Sequence, residues 1–344
     1  MRQAVMIEPG AIEIREEPKP QPKTGEVLLR VRRIGVCGSD IHVYHGLHPY
    51  TSFPVVQGHE VSCVVDELGP DVSGIPVGAS ATFMPQISCG TCYPCRSGMY
   101  HICDSLKVMG FQAPGAAQDY FVVAADKVIL LPSALSPEVG AMIEPLAVAV
   151  HALRRGGGAK EKKVVVVGAG PIGNLVAQCA KAQGAVSVMI TDRSHFRLAL
   201  AKDCGVDITV DANIESLIEA IPKAFGPDEA DLILECIGAE ATMIQAIEAA
   251  RKGSTIVVVG VFGKKPTVDL GLVQDRELSL VGTLMYRKED YDEAVSLAAS
   301  GLMRLDKLVT NSFRFEDYLE AYRFIEKTGE KAMKVMITLD NSSD

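Results

Sequence analysis

The 344-residue chain contains no run approaching the roughly 20 consecutive apolar residues that a membrane-spanning helix requires. It also lacks an excess of positive charge: 34 Lys and Arg stand against 43 Asp and Glu, a formal net charge of -9 with a pI near 5.4. Phosphate backbones and anionic lipid find no general attraction in such a chain, so neither nucleic acid nor a membrane is an expected partner, and a small molecule is. Residues 1–9 show neither the basic nor the apolar region of a secretory signal, and the cytoplasm is the expected location. Internal repeats and low-complexity segments are missing. An even cysteine count is missing too. Nine cysteines disfavour a disulfide framework, and four of them crowd between residues 89 and 103, as a metal site in a reducing compartment demands. Cys63, Cys179, Cys204 and Cys236 sit in apolar or helical contexts and are expected to be small buried hydrophobes.

What the chain does contain is core material, with 48% apolar residues over a length that favours two domains. Residues 3–8, 11–16, 26–34, 60–68, 80–84 and 120–131 read as short strands separated by Gly and Pro, which predicts a mostly antiparallel β domain. After Pro145 the rhythm changes. Six mostly short apolar segments, 163–168, 186–192, 208–211, 232–237, 255–261 and 278–284, alternate with helical stretches, the pattern of a parallel sheet covered on both faces. The fold class predicted is α/β, a doubly wound parallel-sheet domain beside the antiparallel one. Beyond Met285 come a helix, a strand-like segment at 308–315, an amphipathic helix at 315–327 and a strand at 334–339. This tail is too small for a domain and is expected to return to the first one. The boundaries expected are 1–149 with 286–344 for the β domain, including a cysteine lobe at 86–106, and 150–285 for the parallel-sheet domain.

Gly168-Ala169-Gly170-Pro171-Ile172-Gly173 follows a Val-rich strand and opens a helix, the context in which a GxGxxG pattern marks a dinucleotide site. Gly168 permits the tight turn, Gly170 lets a pyrophosphate approach the backbone, and Gly173 allows helix to pack on sheet, while the helix N-terminus meets the phosphate charge. Asp192 ends the next strand, 19 residues after Gly173, where a carboxylate accepts from both ribose hydroxyls and repels a 2′-phosphate. NAD is therefore the expected cofactor, with Arg193 and Arg197 close enough to soften the bias against NADP.

Cys89, Cys92, Cys95 and Cys103 are spaced C-x2-C-x2-C-x7-C, so four thiolates can converge on one tetrahedral ion in a single loop. The last gap is longer than in a bacterial iron-sulfur run, and Asp104 rather than Pro follows it, which favours a closed structural zinc site. His101, inside the loop, is expected to be a bystander. Elsewhere, Cys37-Gly38-Ser39-Asp40-Ile41-His42 and Gly58-His59-Glu60 end short β segments, and Glu144-Pro145 lies at the domain boundary. Together they offer a thiolate, an imidazole and carboxylates for an open zinc site at an interdomain cleft.

These motifs, in this order and over almost the whole chain, resemble the zinc-containing medium-chain alcohol dehydrogenase family, especially its polyol (sorbitol-type) and threonine dehydrogenase branch. The resemblance implies a GroES-like catalytic domain, a Rossmann domain, zinc at two sites per chain, and NAD. It makes Cys37 and His59 catalytic zinc ligands, with Glu60 and Glu144 binding directly or through water. Ser39 matches the proton-relay hydroxyl, His42 its outlet to solvent, and Asp40 the carboxylate that orients His59, for which a helix N-cap role is the rival. It implies pairing through the 278–284 edge strand into a homodimer or homotetramer. Val43 and Met285 replace a tyrosine and an arginine of sorbitol-type relatives, and the 110–120 wall is also altered, which disfavours sorbitol itself. His45, His48 and Tyr50 are candidates for the pocket rim. The expected reaction is hydride transfer from a secondary alcohol, a polyol or sugar acid, to NAD. Threonine-type amino alcohols are the alternative substrate, a zinc-free dinucleotide-binding reductase the alternative function, and a nucleic-acid-binding zinc knuckle is disfavoured by the acidic charge.

Overall fold

In the computed structural model, which describes residues 1–339, the chain divides into two units. The first comprises Met1–Glu144, Arg287–Ala299 and the residues from Val309 on. Its organiser is the 11-residue strand Glu26–Val36, which pairs antiparallel with Glu60–Leu68, Tyr120–Ala124 and Lys334–Thr338. Alternation along this strand sends Val27, Leu29 and Val31 into the core, where Val61, Val65, Phe83 and Phe121 meet them. Each such side chain contributes about 1.5–3 kcal/mol by leaving water. Phe315, Tyr318 and Tyr322, the last two from the helix Tyr318–Thr328, close the same core. The C-terminal strand thus belongs to a seven-stranded sheet, antiparallel except where Val309–Arg314 meets Lys334–Thr338.

The expected single strand at 120–131 is two strands. A 3-10 turn at Ala125–Lys127 redirects the chain, so that Tyr120–Ala124 pairs with Glu26–Val36 and Val128–Leu130 with Ser80–Phe83. No Gly or Pro marks that corner.

The second unit, Pro145–Tyr286 with Ser300–Leu308, holds six parallel strands. Their order is Ile208–Asp211, Ser187–Asp192, Lys163–Val167, Leu232–Glu235, Thr255–Val258, Ser279–Gly282. Succession reverses beside Lys163–Val167, whose chain neighbour lies on one side and whose fourth-strand neighbour lies on the other. Ligands of doubly wound sheets bind at the carboxyl end of that switch point. Val164 to Val167 are buried, as strands covered on both faces must be. Thr255–Val258 stops earlier than its apolar run because the amides of Val259 and Gly260 both donate to the Glu235 carbonyl, which turns the chain. Ser300–Leu308 clusters with this unit and not with the first: the Arg304 amide donates to Gln178 Oε1 at 2.7 Å, and Lys307 Nζ to the Asp203 carbonyl at 3.1 Å. Among the described residues no helix is long and apolar enough to cross a membrane.

Candidate metal centres and dinucleotide cradle

The sulfurs of Cys89, Cys92, Cys95 and Cys103 all lie within 4.8 Å of one another, and none of the four cysteines is in a disulfide. Cys92 Sγ and Cys103 Sγ are 3.8 Å apart. A disulfide would place them at about 2.0 Å, whereas a tetrahedron with zinc–sulfur bonds of about 2.3 Å has edges of about 3.8 Å. Backbone turns bring amides to the sulfurs: Thr91 N and Cys92 N donate to Cys89 Sγ at 3.4 and 3.3 Å, and Cys89 N to Cys103 Sγ at 3.3 Å. The Thr91 hydroxyl and the Thr91 and Cys92 amides bring the Cys89 thiol down to about 5, whereas burial and the neighbouring thiols push Cys95 up to about 12. The residues fit zinc, and four donors leave no open position. His101 is buried but lies outside this ligand group.

The second cluster is built by strand register. Gly35 stands opposite Glu60 in the antiparallel ladder, so Cys37, just past one strand, and His59, just before the other, emerge together. A Cβ on Gly35 would lie 2.3 Å from Glu60 Oε2, so only glycine leaves room for that carboxylate. One ligand atom each from Cys37, His59 and Glu60 falls within 4.8 Å of the others. His59 is buried, and its Nδ1 has no hydrogen-bond partner. Nδ1 faces Asp40 Oδ1 at 3.6 Å, and a ring held by a carboxylate on one side can offer its other nitrogen to a metal. Burial pulls the His59 imidazole down, but Asp40, Cys37 and Glu144 outweigh it and hold the ring well above its ordinary value. So much negative charge around one imidazole suits a cation, and the donor set of sulfur, nitrogen and oxygen fits zinc.

Asp40 lies against His59 and also takes the N-cap role. Its Oδ1 lies 3.6 Å from His59 Nδ1, an ion-pair distance. The carboxylate has other partners as well: Oδ2 accepts from the Cys37 amide at 2.9 Å, closing a capping box on the helix Gly38–Tyr44, and Oδ1 accepts from Gln57 Nε2 at 3.1 Å. Tyr322 in turn donates to Gln57 Oε1 at 2.9 Å. Ser39 Oγ is 3.8 Å from Cys37 Sγ, and His42 is exposed in the last turn of the same helix. Val43 is wholly buried among core side chains, so it packs rather than lining a pocket. Glu144, in the first turn of the helix Ile143–Arg155, is buried outside the 4.8 Å group and acts on His59 through charge.

Three participants escaped the sequence reading. Phe111 places its ring 4.9 Å from His59 and, on another side, 4.9 Å from His48, whose Nδ1 meets the Thr51 hydroxyl at 2.8 Å. Gln57 links Asp40 to Tyr322. Lys334 places its ammonium 2.8 and 2.5 Å from the two oxygens of Glu60. Among the rim candidates, Tyr50 is exposed and His45 pairs with Glu326.

In the second unit Gly168 adopts a φ of +102° directly after Lys163–Val167. A Cβ on Gly173 would sit 1.8 Å from the Gly168 carbonyl oxygen, so helix and strand approach as the motif demands. On Gly170 it would meet nothing nearer than Arg197 Nη1 at 3.9 Å, an open flank. Gly170 caps the helix Pro171–Ala182, and Pro171 and Ile172 form its first turn. Asp192 Oδ2 accepts from Ala169 N at 2.7 Å, and Oδ1 from Ser194 N at 2.8 Å. A carboxylate offers about four acceptor sites, so further donors can be accepted. Arg197 Nε is buried without a partner. Open backbone, a helix N-terminus, a carboxylate and a guanidinium together fit a dinucleotide.

Comparison with known proteins agrees with this geometry. The family model described as zinc-binding dehydrogenase matches residues 171–300, and that described as alcohol dehydrogenase GroES-like domain matches 23–133. Sorbitol dehydrogenase of Halalkalibacterium halodurans is 36% identical over 337 residues, covering 96% of each chain. The 2-dehydro-3-deoxy-L-galactonate 5-dehydrogenase of Pseudoalteromonas atlantica is 35% identical, covering 88% of each. A crystal structure from Sinorhizobium meliloti 1021, assigned as a zinc-binding dehydrogenase and bound to NADP, superposes with a TM-score of 0.92 at 30% identity, covering 98% of this chain and 99% of that one.

Proposed function

We propose, since this chain belongs to the zinc-containing medium-chain alcohol dehydrogenase family, that it transfers hydride from a secondary alcohol of a polyol or sugar acid to NAD. The observation that carries the reading is the convergence of Cys37, His59 and Glu60, one ligand atom of each within 4.8 Å of the others. In this reading the first unit is catalytic and the second binds the dinucleotide. Cys37 and His59 hold one zinc with Glu60 and Glu144 beside it, while Cys89, Cys92, Cys95 and Cys103 hold another that stabilises the lobe. Zinc supplies a Lewis acid that favours the alkoxide, and the nicotinamide supplies the carbon that accepts hydride. Ser39 takes the hydroxyl proton, and His42 passes it to solvent. Gly168, Gly170, Pro171, Ile172 and Gly173 receive the pyrophosphate, aided by Arg197, and Asp192 accepts from the ribose hydroxyls.

The substrate class is supported by relatives that act on a polyol and a sugar acid, and the NAD preference by Asp192. The active species is a homodimer or homotetramer formed along the edge strand Ser279–Gly282, in the cytoplasm. The test is reduction of NAD, and separately NADP, across a panel of polyols, aldonates and amino alcohols. Turnover of polyols or aldonates with NAD is expected. Turnover of amino alcohols alone overturns the substrate reading, and a preference for NADP overturns the cofactor reading.

A further inference from the structure

Lys334 opens the strand Lys334–Thr338, which lies against Glu26–Val36, and its side chain runs inward to Glu60. The two side chains are 3% and 1% exposed, and Lys334 Nζ contacts both carboxylate oxygens, at 2.8 and 2.5 Å. Gly35 leaves space for that carboxylate and would leave none if it carried a Cβ. A buried ammonium loses its hydration, so it is tolerated only where a fixed negative charge answers it. Through Glu60 the lysine therefore reaches the cluster around His59, although 274 residues separate the two in the chain.

Resting on the zinc reading above, we propose that Lys334 is a positioning residue that holds Glu60 through both oxygens and so limits the charge that Glu60 can give to the catalytic metal. A carboxylate already bound to a cation is a weak donor to a second one. Without Lys334, Glu60 turns into a full anionic ligand. It then competes for the position an alcohol must enter, and the metal's pull on the substrate oxygen falls. Groups one shell out from a metal commonly shift affinity or activity by about 10- to 100-fold.

The test uses the full-length protein loaded with zinc, or with cobalt as a spectroscopic substitute, and compares Lys334→Met, Lys334→Arg and the double variant Glu60→Gln/Lys334→Met. Lys334→Met is expected to shift the cobalt d–d band, slow zinc release by about tenfold or more, and lower kcat similarly, with the KM for NAD unchanged. Lys334→Arg keeps the wild-type band. The double variant, which removes both charges, returns zinc release to the wild-type rate. A wild-type band and release rate in Lys334→Met overturn the inference, as does faster release, the result expected of a lysine that only supports the fold. Should Lys334→Met not fold, Lys334→Gln takes its place, and a wild-type band and release rate there overturn the inference equally. A wild-type chain with one zinc instead of two defeats the metal reading itself, whereas two zinc ions with an unresponsive Lys334→Met defeat this inference alone.

Discussion

Replacing Asp192 by Ala tests the cofactor site with a magnitude the geometry sets. One lone pair on each carboxylate oxygen is used by an amide, Ala169 N at 2.7 Å and Ser194 N at 2.8 Å. One on each remains for the two ribose hydroxyls. A hydrogen bond to a charged acceptor contributes about 1.5–3 kcal/mol. Losing one ribose bond therefore weakens NAD roughly 10- to 100-fold, and losing both weakens it further. The two amides belong to buried residues, Ala169 at 0% and Ser194 at 6% exposure, so the variant should also lose some stability, and binding is compared on protein shown to be folded by circular dichroism. NADP, which gains from removal of a repelling carboxylate beside Arg197, should lose much less, and the NAD-to-NADP preference should collapse. Fluorescence titration of both dinucleotides, with KM values for each, measures the ratio. An Asp192→Ala protein with unchanged NAD affinity and unchanged preference would refute the placement of the ribose at this carboxylate.

Other perturbations address separate parts of the account. Cys92→Ser should remove the lobe zinc, leaving about one ion per chain by metal analysis, and lower the thermal midpoint, because a closed four-thiolate site contributes folding energy directly; an unchanged midpoint contradicts that role. Gly173→Ala places a Cβ 1.8 Å from the Gly168 carbonyl, so it should cost about 1–3 kcal/mol or more by overpacking and abolish NAD binding; calorimetry and titration check both. Phe111→Ala removes the ring that lies between His48 and His59, and is expected to raise the KM for substrate while leaving that for NAD unchanged, as steady-state kinetics with both varied will show.

The parts of this molecule that are legible in its sequence are those whose determinants lie close together in the chain. Four cysteines in one loop, or three glycines between a strand and a helix, carry their geometry in their spacing. The catalytic cluster is harder, because Cys37 and His59 meet through the register of Glu26–Val36 against Glu60–Leu68; motifs point to it, but no spacing does. Lys334 and Tyr322 are invisible to such reasoning. Each reaches its partner across more than 260 residues, and a lysine starting a strand reads as a solvated end. Asp40 serves both partners its residue type suits: Oδ2 caps the helix through the Cys37 amide, while Oδ1 lies at ion-pair distance from His59. The turn at Ala125–Lys127 went unseen because tertiary pairing with two different strands, and not local turn chemistry, bends the chain there.

The most direct test of the central claim is metal content and turnover in Cys37→Ser. The account predicts about two zinc ions in the wild-type chain and about one in the variant, with circular dichroism unchanged and alcohol oxidation lost. A variant that keeps both ions, or that still oxidises the alcohol at the wild-type rate, would contradict it.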